Sequence, residues 1–429
     1  MKITWIAAVL AALALVSGCH GSHNQNSTSM RSLVAVPDAE PLDILVDSDA
    51  KATGLALGTT SGISQFDSGS RDVQVRSSTS QSILSDKTLQ FASGVTSTLM
   101  VYGKRAGILS QLLPDDTTTI DSGQLRIRLV NLSGDSGAVD LYLTAAGQSI
   151  ATSPVIIPST GYGSASGSVE IAPASLAITI TSAGTQDILF TSSPQTFSAG
   201  SYVTIVVIPT LGGKLVNVST INQSSGGTFL QNTNARVKAV NGITDSTNVN
   251  YRVDGSAILV NVPFGAGSSY ISTPSSQHTL TVEASNVPGT PLASLPVNLS
   301  SARDYSALSI GTLAHASLVT FLDDNSLPAS GFCKLRFVNG LSDGNSVDVQ
   351  LNFATQVSQL PSATASTYFQ VAPSTTYTIT YSTGGGVQVI GTLYPIELDT
   401  PGIYTSYVLG TVANAKIIVV REREPRRLA

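Results

Sequence analysis

The chain has 429 residues, with 22 Lys and Arg against 27 Asp and Glu, a formal net charge of -5, and charged residues at only 11% of the whole. There is no basic surplus to neutralise a phosphate backbone, which excludes nucleic acid as the expected partner. Aromatics at 6% and 37 glycines among abundant Ser, Thr and Val favour short strands and turns over helices, and the length predicts several domains.

In chain order, Lys2 precedes an apolar run over residues 3–16 that is too short to span a bilayer comfortably and reads as a targeting segment. The run closes on Val16-Ser17-Gly18-Cys19, which resembles the lipobox of bacterial lipoproteins. That resemblance implies a signal peptide over residues 1–18 and acylation of Cys19, with several acyl chains giving stable anchoring. His20 rather than Asp follows the cysteine, which by resemblance to enterobacterial sorting implies the outer membrane, on its periplasmic or its exposed face. Residues 19–29 are polar and aperiodic, a flexible tether, and His20 and His23 there lack a carboxylate or thiolate partner for a metal. The only other cysteine, Cys333, alternates with Leu335 and Phe337 and is expected as a small core residue. The one tryptophan, Trp5, leaves with the signal peptide.

The mature chain is organised around Leu125-Arg126-Ile127-Arg128-Leu129, a polar turn, and Val139-Asp140-Leu141-Tyr142-Leu143, two strands with the period of two expected of one buried face. This hairpin recurs four times: Asp43, Asp140, Asn250 and Asp348 mark one position and stand 97, 110 and 98 residues apart. A period near one hundred is the size of one β-sandwich. Short apolar runs broken by Gly, Pro and Ser fill each unit, and no stretch of helical period follows the signal segment. The expected fold is therefore all-β: four tandem immunoglobulin-like antiparallel β-sandwich domains at 30–122, 123–232, 233–330 and 331–422, then a charged tail at 423–429. The linkers are short and polar, so neighbouring units should touch in an elongated row. Tyr202, Tyr305 and Tyr404 each enter a late strand, resembling the tyrosine corner of immunoglobulin-like sandwiches.

The hairpin resembles the leading motif of the bacterial family of domains of unknown function numbered 4397, a strand, an Asp-containing turn and a second strand. Unit 1 carries it best, as Val36-Pro37-Asp38-Ala39-Glu40-Pro41-Leu42-Asp43-Ile44-Leu45-Val46, and the family's leading histidine is replaced by Val36, Asn131, Asn241 and Asn339. The resemblance implies secreted or lipid-anchored sandwiches and no known activity.

One polar pattern repeats: Asp38 with Asp43, Asp135 with Asp140, Asp245 with Asn250, and Asp343 with Asp348. Two hard oxygens at a turn suit Ca²⁺ but fall short of the six to eight it takes, so the expected role is structural, the first residue making an Asx-turn and the second lying on a solvent face. No cofactor or metal is expected. His278 and His315 lie in unit 3 outside any catalytic motif, and Gly163-Ser164-Ala165-Ser166-Gly167 is only a shifted form of a nucleophile elbow. The sequence points to a non-enzymatic, lipid-anchored envelope protein, a structural or protein-interaction and adhesion module. The alternative is a polysaccharide binder using Tyr162, Tyr270, Tyr368 and Tyr377 as stacking platforms, and a hydrolase is the least favoured reading.

Overall fold

The computed structural model describes residues 26–246 and 248–423. The signal peptide, Cys19, His20, His23 and most of the charged tail lie outside the described residues. Among the described residues the only helix is the single 3-10 turn Ile150–Thr152, and none is long and apolar enough to cross a membrane.

The strands build four tandem β-sandwiches. In unit 1 eight strands run Ser27–Ala35, Leu42–Val46, Asp49–Leu55, Ser64–Asp67, Gly69–Ser77, Ile83–Phe91, Thr96–Lys104 and Gly107–Pro114. One sheet takes the order fourth, first, seventh, eighth, and the other the order third, second, fifth, sixth. Units 3 and 4 repeat this order; unit 2 adds the strand Gly226–Leu230 beyond its eighth, and in units 2 and 4 the fourth strand is broken in two. Side chains alternating inward from both sheets make each core, as Leu125, Ile127 and Leu129 do against Val139, Leu141 and Ile180 in unit 2. Cys333 is buried in the unit 4 core.

The sheets are mixed rather than purely antiparallel. In every unit the first strand pairs parallel to the seventh, as in Leu125–Asn131 against Tyr202–Ile208 and Cys333–Leu341 against Ile403–Thr411. Alternation along a strand reports which residues share a face and is silent on the direction of the neighbour; only the five intervening strands make a parallel pair possible here.

The larger difference from the expected row of units lies in how they meet. The sheets that hold the first and seventh strands pack face to face in two couples. Leu33, Ala35, Met100 and Tyr102 of unit 1 bury against Val130, Leu132, Val206, Ile208 and Ile221 of unit 2. Val240, Leu308 and Ile310 of unit 3 bury against Val338, Tyr407 and Leu409 of unit 4. A Cβ on Gly242 would stand 3.3 Å from Leu409, and one on Gly340 would stand 3.2 Å from Leu308, so both glycines permit this approach. These four sheets are therefore covered on both sides, and the other four, here called outer sheets, are covered on one.

Candidate functional site

The first strand of each unit carries a basic residue at its middle, Arg31, Arg128, Lys238 and Arg336, on the face opposite its own core. The facing unit covers that side, so three of the four are no more than 2% exposed, and each needs a partner within the interface. Arg31 pairs with Asp115 and donates to the Gln223 carbonyl at 3.1 Å. Arg128 donates to Thr204 Oγ1 at 2.8 Å and to the Pro114 carbonyl at 2.9 Å. The second couple repeats the plan: Arg336 donates to Thr405 Oγ1 at 3.0 Å and to the Leu322 carbonyl at 3.1 Å, and pairs with Asp323.

Lys238 reaches Glu422, from the end of the chain, and the ammonium stands 5.5 Å from the Tyr270 ring centre and 5.7 Å from that of Tyr407. Burial is the largest single influence on Lys238 and pulls its pKa down, but Glu422, Tyr407 and Asp323 together outweigh it, leaving the ammonium above its ordinary value. Burial likewise opposes the Arg336 charge, and Asp323 with Tyr368, Tyr407 and Glu422 more than restores it. The Tyr270 hydroxyl donates to Asp323 at 2.5 Å and to Glu422 at 3.1 Å; burial and those two carboxylates push its pKa well above 10. Beside this network, Arg236 grips Asp304 through two guanidinium nitrogens, and Lys334 pairs with Asp324 at 2.8 Å. The site is a set of internal ion pairs, of which Lys238 with Glu422 and Arg336 with Asp323 join two domains.

The recurring carboxylates serve the folds of their own units. The second residue of each pair sits on the second strand and accepts from the backbone of a third-strand residue with positive φ. Asp43 accepts from Gly54, Asp140 from Ser159, Asn250 from Asn261 and Asp348 from Gln359, at 2.6–3.0 Å. The group also accepts from the turn after the fifth strand, Gly184 and Gly385 on the second oxygen of Asp140 and Asp348 and Ser78 and Ser285 on the same oxygen of Asp43 and Asn250, while Arg76 of the fifth strand donates to the second oxygen of Asp43. Asp43, Asp140 and Asn250 are buried, which corrects the solvent-face expectation. A side-chain oxygen here holds a left-handed bulge residue that its own side chain would not favour.

Among the first residues of the pairs, Asp343 accepts from the Asn345 N–H two residues on at 3.5 Å, the Asx-turn expected of it. Asp38, Asp245 and Asp343 accept from Arg105, Leu313 and Val412, capping the turn between seventh and eighth strands at 2.7–2.8 Å. In unit 2 that connection is longer, and Asp135 instead accepts from Leu327 at 2.7 Å, in the segment between units 3 and 4. The paired carboxylates thus turn to different donors, and among the described residues no three His, Cys, Asp or Glu side chains converge as metal ligands.

The Gly163-Ser164-Ala165-Ser166-Gly167 stretch is one copy of a feature present in all four units. Gly58, Gly163, Gly265 and Ala363 have positive φ, and the serine three residues on, Ser61, Ser166, Ser268 or Ser366, accepts from a first-strand N–H at 2.8–3.0 Å. These hydroxyls fill the place of a missing ladder bond. A cavity of about 460 Å³ adjoins Ser164 and Ser166, and no ionisable side chain lines it.

A buried asparagine locks the first turn in three units. Asn131, Asn241 and Asn339 are fully buried, each accepting from the backbone two residues on and donating to the carbonyl of Thr160, Val262 or Leu360. The equivalent carbonyl in unit 1, which receives the Gly58 N–H as Asn131 receives that of Gly163, belongs to Val34 rather than Val36.

Tyr305 and Tyr404 accept from the backbone N–H of Ser300 and Asp399, five residues upstream, as a tyrosine corner does. Tyr202 instead donates to Thr118. Of the four tyrosines expected as stacking platforms, Tyr270 and Tyr368 are half-buried where units 3 and 4 meet, Tyr368 lying against Arg336 at 4.6 Å. Tyr162, exposed by 39%, packs edge-on against Tyr102, and the hydroxyl of the half-buried Tyr377 bonds to the Ala372 carbonyl.

His278 and His315 are held by separate turns. His278 lies between Asp254 at 2.7 Å on Nδ1 and Ser276 Oγ at 2.8 Å on Nε2, the order of a catalytic triad. Nε2 also faces the Pro274 carbonyl at 2.9 Å and the bond to Asp254 raises the pKa, so the ring clasps two turns. His315 is exposed, with its backbone N–H on Thr312.

Compared with known proteins, residues 28–142 and 235–350 match the family described as a domain of unknown function, DUF4397. Each match spans the first unit of a couple and runs into the opening hairpin of the second. Among solved structures, the product complex of SpuA, a multi-modular glycogen-degrading pneumococcal virulence factor, is similar at a TM-score of 0.16 and 9% identity, over 87% of this chain and 38% of that one. No curated protein matches the chain.

Proposed function

The chain belongs to the DUF4397 family, and from that premise we propose that it is a lipid-anchored, non-enzymatic envelope protein whose coupled sandwiches act as a structural or protein-interaction module. The observation that carries this reading is the use made of the ionisable groups. Those that come together, Arg31 with Asp115, Arg236 with Asp304, Lys238 with Glu422 and Arg336 with Asp323, join strands or join units. Such pairs hold one arrangement of domains; they offer no group poised to exchange a proton with a substrate.

Cys19 is the anchor, and seven residues separate it from the first strand at Ser27. Even fully extended, that segment reaches only about 25 Å, so the coupled units stand close to the bilayer rather than on a long stalk. The outer membrane is the membrane proposed. Metabolic labelling of the full chain with an alkyne fatty acid in a Gram-negative host should mark the protein, in the outer-membrane fraction, and Cys19→Ser should abolish both the label and the fractionation. An unlabelled mature chain beginning at a residue other than Cys19 would overturn the anchoring.

A further inference from the structure

The outer sheets differ in charge. Unit 1 carries Lys51, Arg71, Asp72, Arg76, Asp86 and Lys87 on its outer sheet, and unit 3 carries Arg252 and Glu283. In contrast, residues 139–191 of unit 2 and 347–398 of unit 4 contain no Lys, Arg or His. Their acidic groups are Asp140, Glu170 and Asp187 in the first stretch and Asp348 and Glu397 in the second. Asp140 and Asp348 are turned to backbone N–H groups, Glu170 pairs with Arg126 and Asp187 with Lys214.

What these two sheets carry instead is hydroxyl and amide groups in register, open to solvent along the row in unit 4 and at Thr191 in unit 2. Tyr142, Thr179 and Thr191 stand opposite one another across three strands of unit 2, Thr191 exposed and the other two buried beside it. In unit 4 the row is Thr355, Gln350, Thr380 and Thr392 across four. The paired threonine hydroxyls are 3.1 Å apart in both units. In unit 2 the loop 145–150 turns the sheet face into a cavity of about 420 Å³ lined by Thr144, Thr179 and Thr191. In unit 4 the face is open, with Tyr394 on its edge strand 63% exposed and Phe353 at the tip of the turn after the second strand 81% exposed.

We propose that the outer sheets of units 2 and 4 bind a neutral polysaccharide, which names the partner class of the envelope module proposed above and rests on that reading. Hydroxyl and amide rows both donate and accept, so they exchange bonds with sugar hydroxyls without desolvating a charge. The exposed aromatic rings offer apolar faces for the C–H side of a sugar ring. A phosphate or carboxylate polymer would meet no cation on either sheet, and burying its charge there unpaired is costly.

The mature chain should be run through native gels containing dextran, starch or galactomannan, or the anionic polymer alginate. Retardation by at least one neutral polymer and none by alginate is the expected result. Tyr394→Ala and Thr392→Lys in unit 4, combined with Thr191→Lys in unit 2, should weaken the retardation by about tenfold or more while circular dichroism and thermal unfolding stay unchanged. These positions are exposed, so their replacement leaves the cores intact. No retardation in any neutral gel, retardation by alginate alone, or retardation indifferent to the substitutions would overturn the inference. Each of those outcomes with Cys19 still acylated rejects the glycan partner and leaves the envelope module standing.

Discussion

Glu422→Ala is expected to lower the stability of the unit 3 and unit 4 couple by about 3–5 kcal/mol, the usual loss when one member of a buried ion pair is removed. The Lys238 side chain is 1% exposed and that of Glu422 is fully enclosed. Truncating the glutamate leaves an ammonium with two tyrosine rings and the more distant Asp323 as its surroundings, and takes an acceptor from Tyr270. The double variant Lys238→Met with Glu422→Leu removes both charges and should recover most of the loss, since apolar side chains of similar volume avoid the desolvation of either ion. Urea unfolding, followed by the tyrosine signal, separates the single from the double variant. Equal stability of Glu422→Ala and the unaltered chain would mean that the end of the chain does not clasp the two units together.

Asn339→Ala should cost at least about 3 kcal/mol, because several backbone groups would lose their partners in a space that water does not reach. Its amide nitrogen donates to the carbonyls of Asn345 and Leu360 at 2.9 Å, and its oxygen accepts from Leu341 at 3.1 Å. Leu341 is itself fully buried. The same unfolding experiment measures the loss. A change below about 1 kcal/mol, the ordinary surface range, would show that the turn is held by its strands alone.

The strand pattern, the four units and the sandwich class were legible because alternation along Leu125-Arg126-Ile127-Arg128-Leu129 reports two chemically different faces. It does not report that the polar face is wet. Arg128 and its counterparts face another protein surface, and Arg31 and Lys238 are as enclosed as the leucines beside them. A signal of the coupling was nonetheless present: Asp115 and Asp323, which meet these bases, are 208 residues apart, as are Asp140 and Asp348. The repeat in this chain is thus a couple of sandwiches used twice.

The role of Asp140 was not legible for a different reason. Its partners are backbone N–H groups, and the third-strand residues it and its counterparts hold, Gly54, Ser159, Asn261 and Gln359, share no side-chain chemistry. What they share is a positive φ, which only Gly and Asn advertise in a sequence. Tyr305 was legible at the residue level, although the Gly that precedes the other corner tyrosines is absent there.

Coupling of the units in twos is the central claim, and differential scanning calorimetry of the full mature chain tests it most directly. At ~0.7 kcal/mol of unfolding enthalpy per residue, a cooperative couple of about 200 residues has a van't Hoff enthalpy near 140 kcal/mol, and a lone unit about half that. At most two transitions, each of the larger size, is the predicted result. Four transitions, each with the enthalpy of a single sandwich, would contradict it.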